Sequence, residues 1–315
     1  MIVAWRLAEL PRVLRETGIE RPFVVASSRW QSLDLPQVAW WSEVPSDRVE
    51  VPIAADGILA VGGGSAIDTA KFASAQTERP VVHVPTTYSG SEWTTTYGIR
   101  SPDRRMRGGG GGARPVGIVY DVELTVDLPL DVSAGTAMNA LAHCAEALYV
   151  RGRSPEGDEQ ALAGAPLIAD ALPRVLEAPH DRAARTTLLR GAAHAGRALG
   201  LAGLGLAHAM AQAVGGRYGL PHGAMNALCL PPALEYNREY VPEEVARFGA
   251  ALGGDAVERT RELARRGGFE RLRDFGVPRD ELREVAEAAA QRGGNLANPH
   301  RATRDEIHAL LESIW

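Results

Sequence analysis

Residues 208 to 222 read HAMAQAVGGRYGLPH, and Gly223 follows. His208 and Gln212 stand four apart, so they share a face if the run is helical, and His222 lies beyond a Gly-Gly pair in a Pro-His-Gly turn. Three readings follow from residue type alone: a metal site, a metal site that has lost its metal, or a helix end that happens to carry histidines. Any one histidine by itself favours the last, as a hydrogen-bonded buried residue. His83, His180, His194, His300 and His308, scattered along the chain, take that reading.

A second candidate is GILAVGGGSAIDTAK, residues 57 to 71, which reads as strand, glycine turn and helix. Gly62, Gly63 and Gly64 let the backbone turn tightly and approach a ligand, and a helix opening at Ser65 presents free N–H groups and the positive end of its dipole to a diphosphate. The pattern is not GxGxxG, because Ile67 stands where the last glycine would fall, and no GK[ST] of a Walker A loop follows. Ser65 and Asp68 also have capping-box spacing, which is compatible with ligand binding. Lys71 either reaches back to the ligand or is solvated. It is the only lysine among 34 basic residues, so a compact ammonium matters at that place where a planar guanidinium will not serve. The next run, HVPTTYSGSEWT, places Thr86, Thr87, Ser89 and Ser91 after a strand, more hydroxyls than a plain turn needs. Loops at strand C-termini are where α/β sheets bind nucleotides.

The elements around these residues are of two kinds. PFVVAS, GILAVGG, PVVHVP and VGIVYD are short β-rich runs alternating with helical or turn material, which predicts a parallel sheet of the α/β kind. From about Asp131 the text is helical, so the expected division is an α/β dinucleotide-binding domain over 1–132 and an all-helical catalytic domain over 133–315. RRMRGGGGGARP, 104 to 115, reads as a flexible hairpin or loop tip, with a ligand clamp as the alternative. Cys144 and Cys229, in helix-like and strand-like contexts, read as small core residues.

The chain has 315 residues, 45% hydrophobic and 23% charged, with formal net charge -5. That balance argues against nucleic acid or a membrane surface as partner and for a small molecule. No basic leader and no run of 18 apolar residues is present, so the expected location is the cytoplasm.

Six segments together carry a resemblance: GGGSAIDTAK, PTTYSGSEWT, YDVELTVDLPL, MNALAHCAEALY, HAMAQAVGGRYGLPHG with LPPALEYN, and NPHRATRDEIHALLESIW. From about residue 57 onward the chain resembles the iron-containing (group III) alcohol dehydrogenase superfamily, nearest its maleylacetate reductase branch. The first 56 residues look shorter than the family's usual N-terminal region. The resemblance implies a dehydroquinate synthase-like fold, with the active site in the cleft between the two domains. It also implies that the glycine turn, Thr86, Thr87 and Lys71 contact NADH or NADPH, and Ser65, Asp68 and Ser89 join them as cofactor candidates. In metal-using members an aspartate, a histidine four residues later and two further histidines hold a divalent ion; the corresponding positions here are Asn139, His143, His208 and His222.

Asn139 offers a neutral carbonyl oxygen where a carboxylate would offset the ion's charge, and Gln212 stands where many metal-using relatives have another histidine. Iron or zinc is therefore the less favoured reading, although three imidazoles are enough to hold zinc. The maleylacetate reductase branch shows asparagine at this position, and resemblance to it implies catalysis without a metal. Reducing a simple ketone concentrates charge on one oxygen, which suits a Lewis acid, whereas hydride delivered to an enone spreads it over an enolate that histidine and backbone donors stabilise. The expectation is an NADH- or NADPH-dependent reductase converting maleylacetate to 3-oxoadipate. His208 or His222 supplies the proton, His143 and Asn139 shape the site, and Arg217 and Tyr88 meet the anionic substrate. The branch motif usually ends PHA, and here it ends PHG.

Two other functions remain open on the sequence. One is a metal-dependent alcohol or aldehyde dehydrogenase of the same superfamily, and the other is a non-redox relative such as a sugar-phosphate cyclase. Ser27, Ser28 and Arg29 at the end of PFVVAS provide no acidic residue for a ribose hydroxyl, which leaves room for NADPH with Arg29 on its extra phosphate. A homodimer is the common outcome for such enzymes.

Overall fold

A computed structural model describes residues 1–315, and the chain divides into two compact units: Met1–Thr87 with Ser91–Thr125, and Tyr88–Gly90 with Val126–Trp315. The division thus falls after Thr125 rather than near residue 132, and the Tyr88–Gly90 segment belongs with the helices. The reason is visible at Leu128, whose carbonyl already accepts a hydrogen bond from Arg185 in the helical unit.

In the first unit, β1 (Ile2–Ala4), α1 (Leu10–Glu16), β2 (Pro22–Val25), β3 (Ala39–Trp41), β4 (Gly57–Gly62), α2 (Gly64–Thr77), β5 (Pro80–Pro85), β6 (Tyr97–Arg100), β7 (Met106–Gly110) and β8 (Arg114–Val119) follow in order. Six strands form one sheet in the order β1-β8-β5-β4-β2-β3, every pair parallel. The four strands expected from the sequence are its centre, and β1 and β3 add an edge on each side. Leu59, Val61, Val82 and Val84 pack on one face with Val13 and Leu14, and Ile58, Ala60 and Val81 on the other with Ile67 and Ala70. Burial on both faces is why these strands read as unbroken apolar runs. Gly62 is in register with Pro85, and Thr86 N donates to Gly62 O at 3.0 Å, so the glycine turn and the threonine pair leave the sheet side by side.

The glycine run belongs to a hairpin, one of the two forms its sequence suggested. Gly108, Gly109 and Gly110 are not a loop tip but lie in β7, paired antiparallel with Ile99, Gly98 and Tyr97 of β6. A Cβ on Gly110 would lie 2.8 Å from the Tyr97 hydroxyl oxygen, so the missing side chains make room for that aromatic ring. Strand pairing and the ring supply the order that glycine lacks by itself.

The second unit consists of α3 (Leu130–Ala147), α4 (Pro155–Glu177), α5 (Arg182–Ala202), α6 (Leu206–Tyr218), α7 (His222–Arg238), α8 (Pro242–Ala251), α9 (Ala256–Arg266), α10 (Leu282–Ala290), α11 (Gly293–Ala297) and α12 (Arg304–Ser313). Side chains cap several of these helices, among them Ser154 on Gly157 N, Asp181 on Ala183 N and Ala184 N, and the Thr303/Glu306 capping box. The segment after His222 was not legible as a helix, because α7 runs through Pro231 and Pro232, residues that ordinarily end one. Cys229 consequently sits in a helix rather than a strand, buried like Cys144. α3 and α7 approach to backbone contact at Gly135 and Gly223; a Cβ on Gly135 would lie 3.2 Å from Ala224 N. This close approach sets the side chains of α3 and α7 against each other. No single helix is long and apolar enough to cross a membrane.

Candidate active site

Helix α3 carries Asn139, His143 and Glu146 at i, i+4 and i+7, one face of a 3.6-residue period. Helix α6 brings His208, and α7 brings His222 and Asn226, again four apart. The hairpin-like pair α6–α7 differs from the expected turn. Gly215, Gly216 and Arg217 are helical, α6 ends on left-handed Gly219 with φ 71°, Pro221 caps α7, and His222 is its first residue.

The four positions singled out from the sequence do converge, and nearly all of the cluster is buried: Asn139 is 3% exposed, His143 3% and His208 1%. The rings of His143 and His208 stack with centroids 4.5 Å apart, and His222 tilts against His208 at 5.6 Å. Asn139 is the hub. Its Nδ2 donates to Ser89 O at 2.9 Å and lies 2.9 Å from His143 Nε2, while its Oδ1 accepts from Asn226 Nδ2 at 2.9 Å and faces His208 Nε2 at 3.2 Å. Asn226 Nδ2 also reaches His222 Nε2 at 3.0 Å. Glu146 grips His208 twice, through Nδ1 at 2.6 Å and through its backbone N–H at 3.1 Å. Burial, followed by the neighbouring His208 and His222, holds His143 well below the usual histidine range, so it is neutral.

Glu146 and Asn226 are the residues that sequence reasoning missed. Their signal was present in the spacing, since Glu146 falls seven residues after Asn139 and Asn226 four after His222.

The donor set does not fit a divalent ion. Three Nε2 atoms converge, but what fills their centre is amide N–H: Asn139 Nδ2 and Asn226 Nδ2 point hydrogens where an ion would need lone pairs. No three His, Cys, Asp or Glu side chains are arranged as ligands. Glu146, the one carboxylate present, is already committed to His208.

The glycine turn does fit a dinucleotide. α2 opens at Gly64 with Gly63 as N-cap and no side-chain cap, so Ser65 and Asp68 do not form the capping box that their spacing suggested. The helix start therefore keeps its N–H groups for a phosphate. A Cβ on Gly63 would lie 2.7 Å from Thr87 Cγ2, so only glycine leaves the backbone open beside that threonine. Thr86 Oγ1, Thr87 Oγ1 and Ser89 Oγ are buried without a hydrogen-bond partner, which marks them as waiting for one.

Four expected contacts are corrected. Lys71 is 1% exposed and its Nζ donates to Ser91 O, Ser91 Oγ, Thr94 Oγ1 and Thr96 O, at 2.9, 2.8, 2.9 and 2.6 Å, so it is spent on the segment after β5 and does not reach a ligand. Asp68 completes that network, 3.0 Å from Lys71 and accepting from Ser91 Oγ and Gly98 N. A single lysine survives because one compact ammonium must meet several oxygens at once. Arg217 lies half-exposed between Glu281 and Glu284 at 2.7 and 2.6 Å, two carboxylates that neutralise it. Tyr88 is fully buried and its hydroxyl accepts from Arg185 at 3.0 Å, which makes it a packing residue that fixes Ser89 next to it.

Residues 133–315 match the Fe-containing alcohol dehydrogenase family, C-terminal, and residues 52–119 match iron-containing alcohol dehydrogenase. The chain is 33% identical to a maleylacetate reductase of Pseudomonas knackmussii over 98% of its own length and 93% of the relative's. It belongs to the iron-containing alcohol dehydrogenase family, and so to the oxidoreductases. Among solved structures of the family, a putative alcohol dehydrogenase from Ralstonia eutropha superposes with TM-score 0.89 at 32% identity, covering 100% of this chain and 95% of that one. The maleylacetate reductase of Agrobacterium tumefaciens gives TM-score 0.87 at 29% identity with the same coverage. The family uses NAD(P)H and often a divalent metal.

Proposed function

We propose that the protein reduces maleylacetate to 3-oxoadipate with NADH or NADPH and without a catalytic metal. The observation that carries this reading is the amide of Asn139 at the hub of the histidine cluster, its Nδ2 held by Ser89 O, in a chain similar to maleylacetate reductases over nearly its whole length.

Reduced nicotinamide, when bound, supplies the hydride. The open start of α2 and the hydroxyls of Thr86 and Thr87 hold the dinucleotide, Gly63 giving its backbone room. Hydride arriving at the alkene carbon remote from the ketone leaves an enolate on the substrate. The imidazole cluster stabilises that spread charge, in a setting where water does not compete. A histidine then protonates the carbon next to the ketone, completing the saturated product.

The test pairs metal analysis of the purified protein with oxidation of NADH and of NADPH on maleylacetate and on a simple aldehyde. Turnover on maleylacetate that survives chelator is expected. Turnover only on the aldehyde, abolished by chelator and restored by iron or zinc, overturns the reading in favour of a metal-dependent dehydrogenase.

A further inference from the structure

We infer that Glu146 is the positioning residue that makes His208, and not His222, the proton donor of the cluster. This deepens the reading of the previous subsection and rests on it for the reaction concerned.

The orientation of each ring follows from which partners can only accept. Asn139 must turn Nδ2 toward the carbonyl of Ser89, so its Oδ1 faces His208 Nε2. A carboxylate oxygen of Glu146 meets the other ring nitrogen, Nδ1. Both contacts are to acceptors, so both nitrogens of His208 carry hydrogen, and the one on Nε2 points into the cluster. His222 is held the other way. Asn226 Nδ2 gives one hydrogen to Asn139 Oδ1 at 2.9 Å and turns the other toward His222, whose carbonyl at 3.2 Å and Nε2 at 3.0 Å share it, so Nε2 presents a lone pair and no proton there.

Two features explain how a carboxylate is kept at this depth. Glu146 Oε1 accepts the backbone N–H of His208 near the start of the thirteen-residue α6, where the helix dipole favours a negative charge. Gly205, just before that helix, lets Glu146 come close, since a Cβ on it would lie 3.1 Å from Cδ, Cγ and Oε1 of Glu146. The two-point grip fixes the ring as well as its hydrogens.

Hydride adds to the alkene carbon remote from the ketone, and the π electrons move onto the ketone oxygen. As the carbonyl re-forms, the carbon next to it takes the proton from His208 Nε2, whose N–H bond breaks. His208 is left neutral, with its Nδ1 hydrogen still on Glu146, and regains a proton from solvent. Glu146 touches neither substrate nor cofactor.

The experiment is Glu146→Gln, alone and combined with His208→Gln. For a variant whose thermal melt shows it folded, kcat on maleylacetate should fall about 10²-fold, the scale of a lost general acid, with KM for cofactor and substrate nearly unchanged. In the His208→Gln background the same change should cost nothing further, because Glu146 acts only through that ring. Glu146→Asp should recover part of the loss. Independently of activity, the wild-type protein should show a strongly downfield Nδ1–H proton resonance that disappears in His208→Gln and Glu146→Gln. Unchanged kcat in folded Glu146→Gln, additive losses in the double variant, or no downfield resonance overturns the inference. If Glu146→Gln fails to fold, the resonance in the wild-type protein and its loss in His208→Gln decide the matter. A wild-type protein inactive on every enone and carbonyl would sink the functional reading while the resonance still tests the pairing of Glu146 with His208.

Discussion

Asn226 donates its side-chain amide to Oδ1 of Asn139 at 2.9 Å, across the contact between α7 and α3. With Nδ2 of Asn139 tied to Ser89 O, that bond fixes the amide the way a metal would fix a carboxylate, and it leaves the histidines nothing to share but hydrogen.

Asn139→Asp replaces the inward amide hydrogens by an oxygen with negative charge. Zinc affinity, followed by titration and by metal content after dialysis, should rise by on the order of tenfold or more. A wild-type protein that already retains one equivalent of metal through dialysis contradicts this account of the site.

Thr87→Val removes a buried hydroxyl that has no partner in the free protein. Thermal stability should hold or rise, because an unsatisfied polar group has been deleted, whereas cofactor binding should weaken by about 1 kcal/mol, the value of one hydrogen bond. Calorimetric titration with NADH and NADPH reads the second effect and a thermal melt the first. Equal cofactor affinity in the variant refutes the role given to the threonine.

Lys71→Met leaves Asp68 and the oxygens of Ser91, Thr94 and Thr96 without their shared donor. Urea unfolding should show a loss of roughly 3 kcal/mol, the scale of breaking a buried pair. Lys71→Arg should not restore it, since a planar fork cannot meet these oxygens from one point. A stable arginine variant would show that the single lysine is incidental.

Acid should cost stability through His83. Burial first, and then the nearby charge of Lys71, hold its pKa down to about 3 from 6.5, so below 6.5 the unfolded chain takes up a proton that the folded one refuses. The contribution of a neutral His83 is intact above pH 6.5 and is lost as pH falls, by about 2 kcal/mol between pH 7 and 5. Glu92, raised by burial and so of opposite sign, is common to wild type and His83→Gln, and it cancels when their denaturation curves are compared. Parallel pH profiles for the two proteins would refute the assignment.

Much of this was legible in the sequence, for identifiable reasons. Strand, glycine turn and helix at 57–71 obey local rules, and Asn139, His143, His208 and His222 carry their spacing openly. What was hidden is decided by tertiary structure. Lys71 and Arg217 could be read as free cations until their oxygen partners, distant in sequence, were seen. Glu146 is an ordinary glutamate on an apolar helix until α6 arrives with its backbone N–H. Pro231 and Pro232 spoke against the helix that packing imposes on them, and three-residue strands such as β1 are too short for a pattern.

Those short strands matter for how the protein behaves at high concentration. The sheet is long and apolar in the middle, yet it ends on either side in β1 and β3, each of only three residues. An open edge recruits foreign strands in proportion to the backbone N–H and C=O groups it leaves unpaired, and these edges leave few. The brevity that concealed β1 and β3 from a sequence reader also guards the sheet against aggregation.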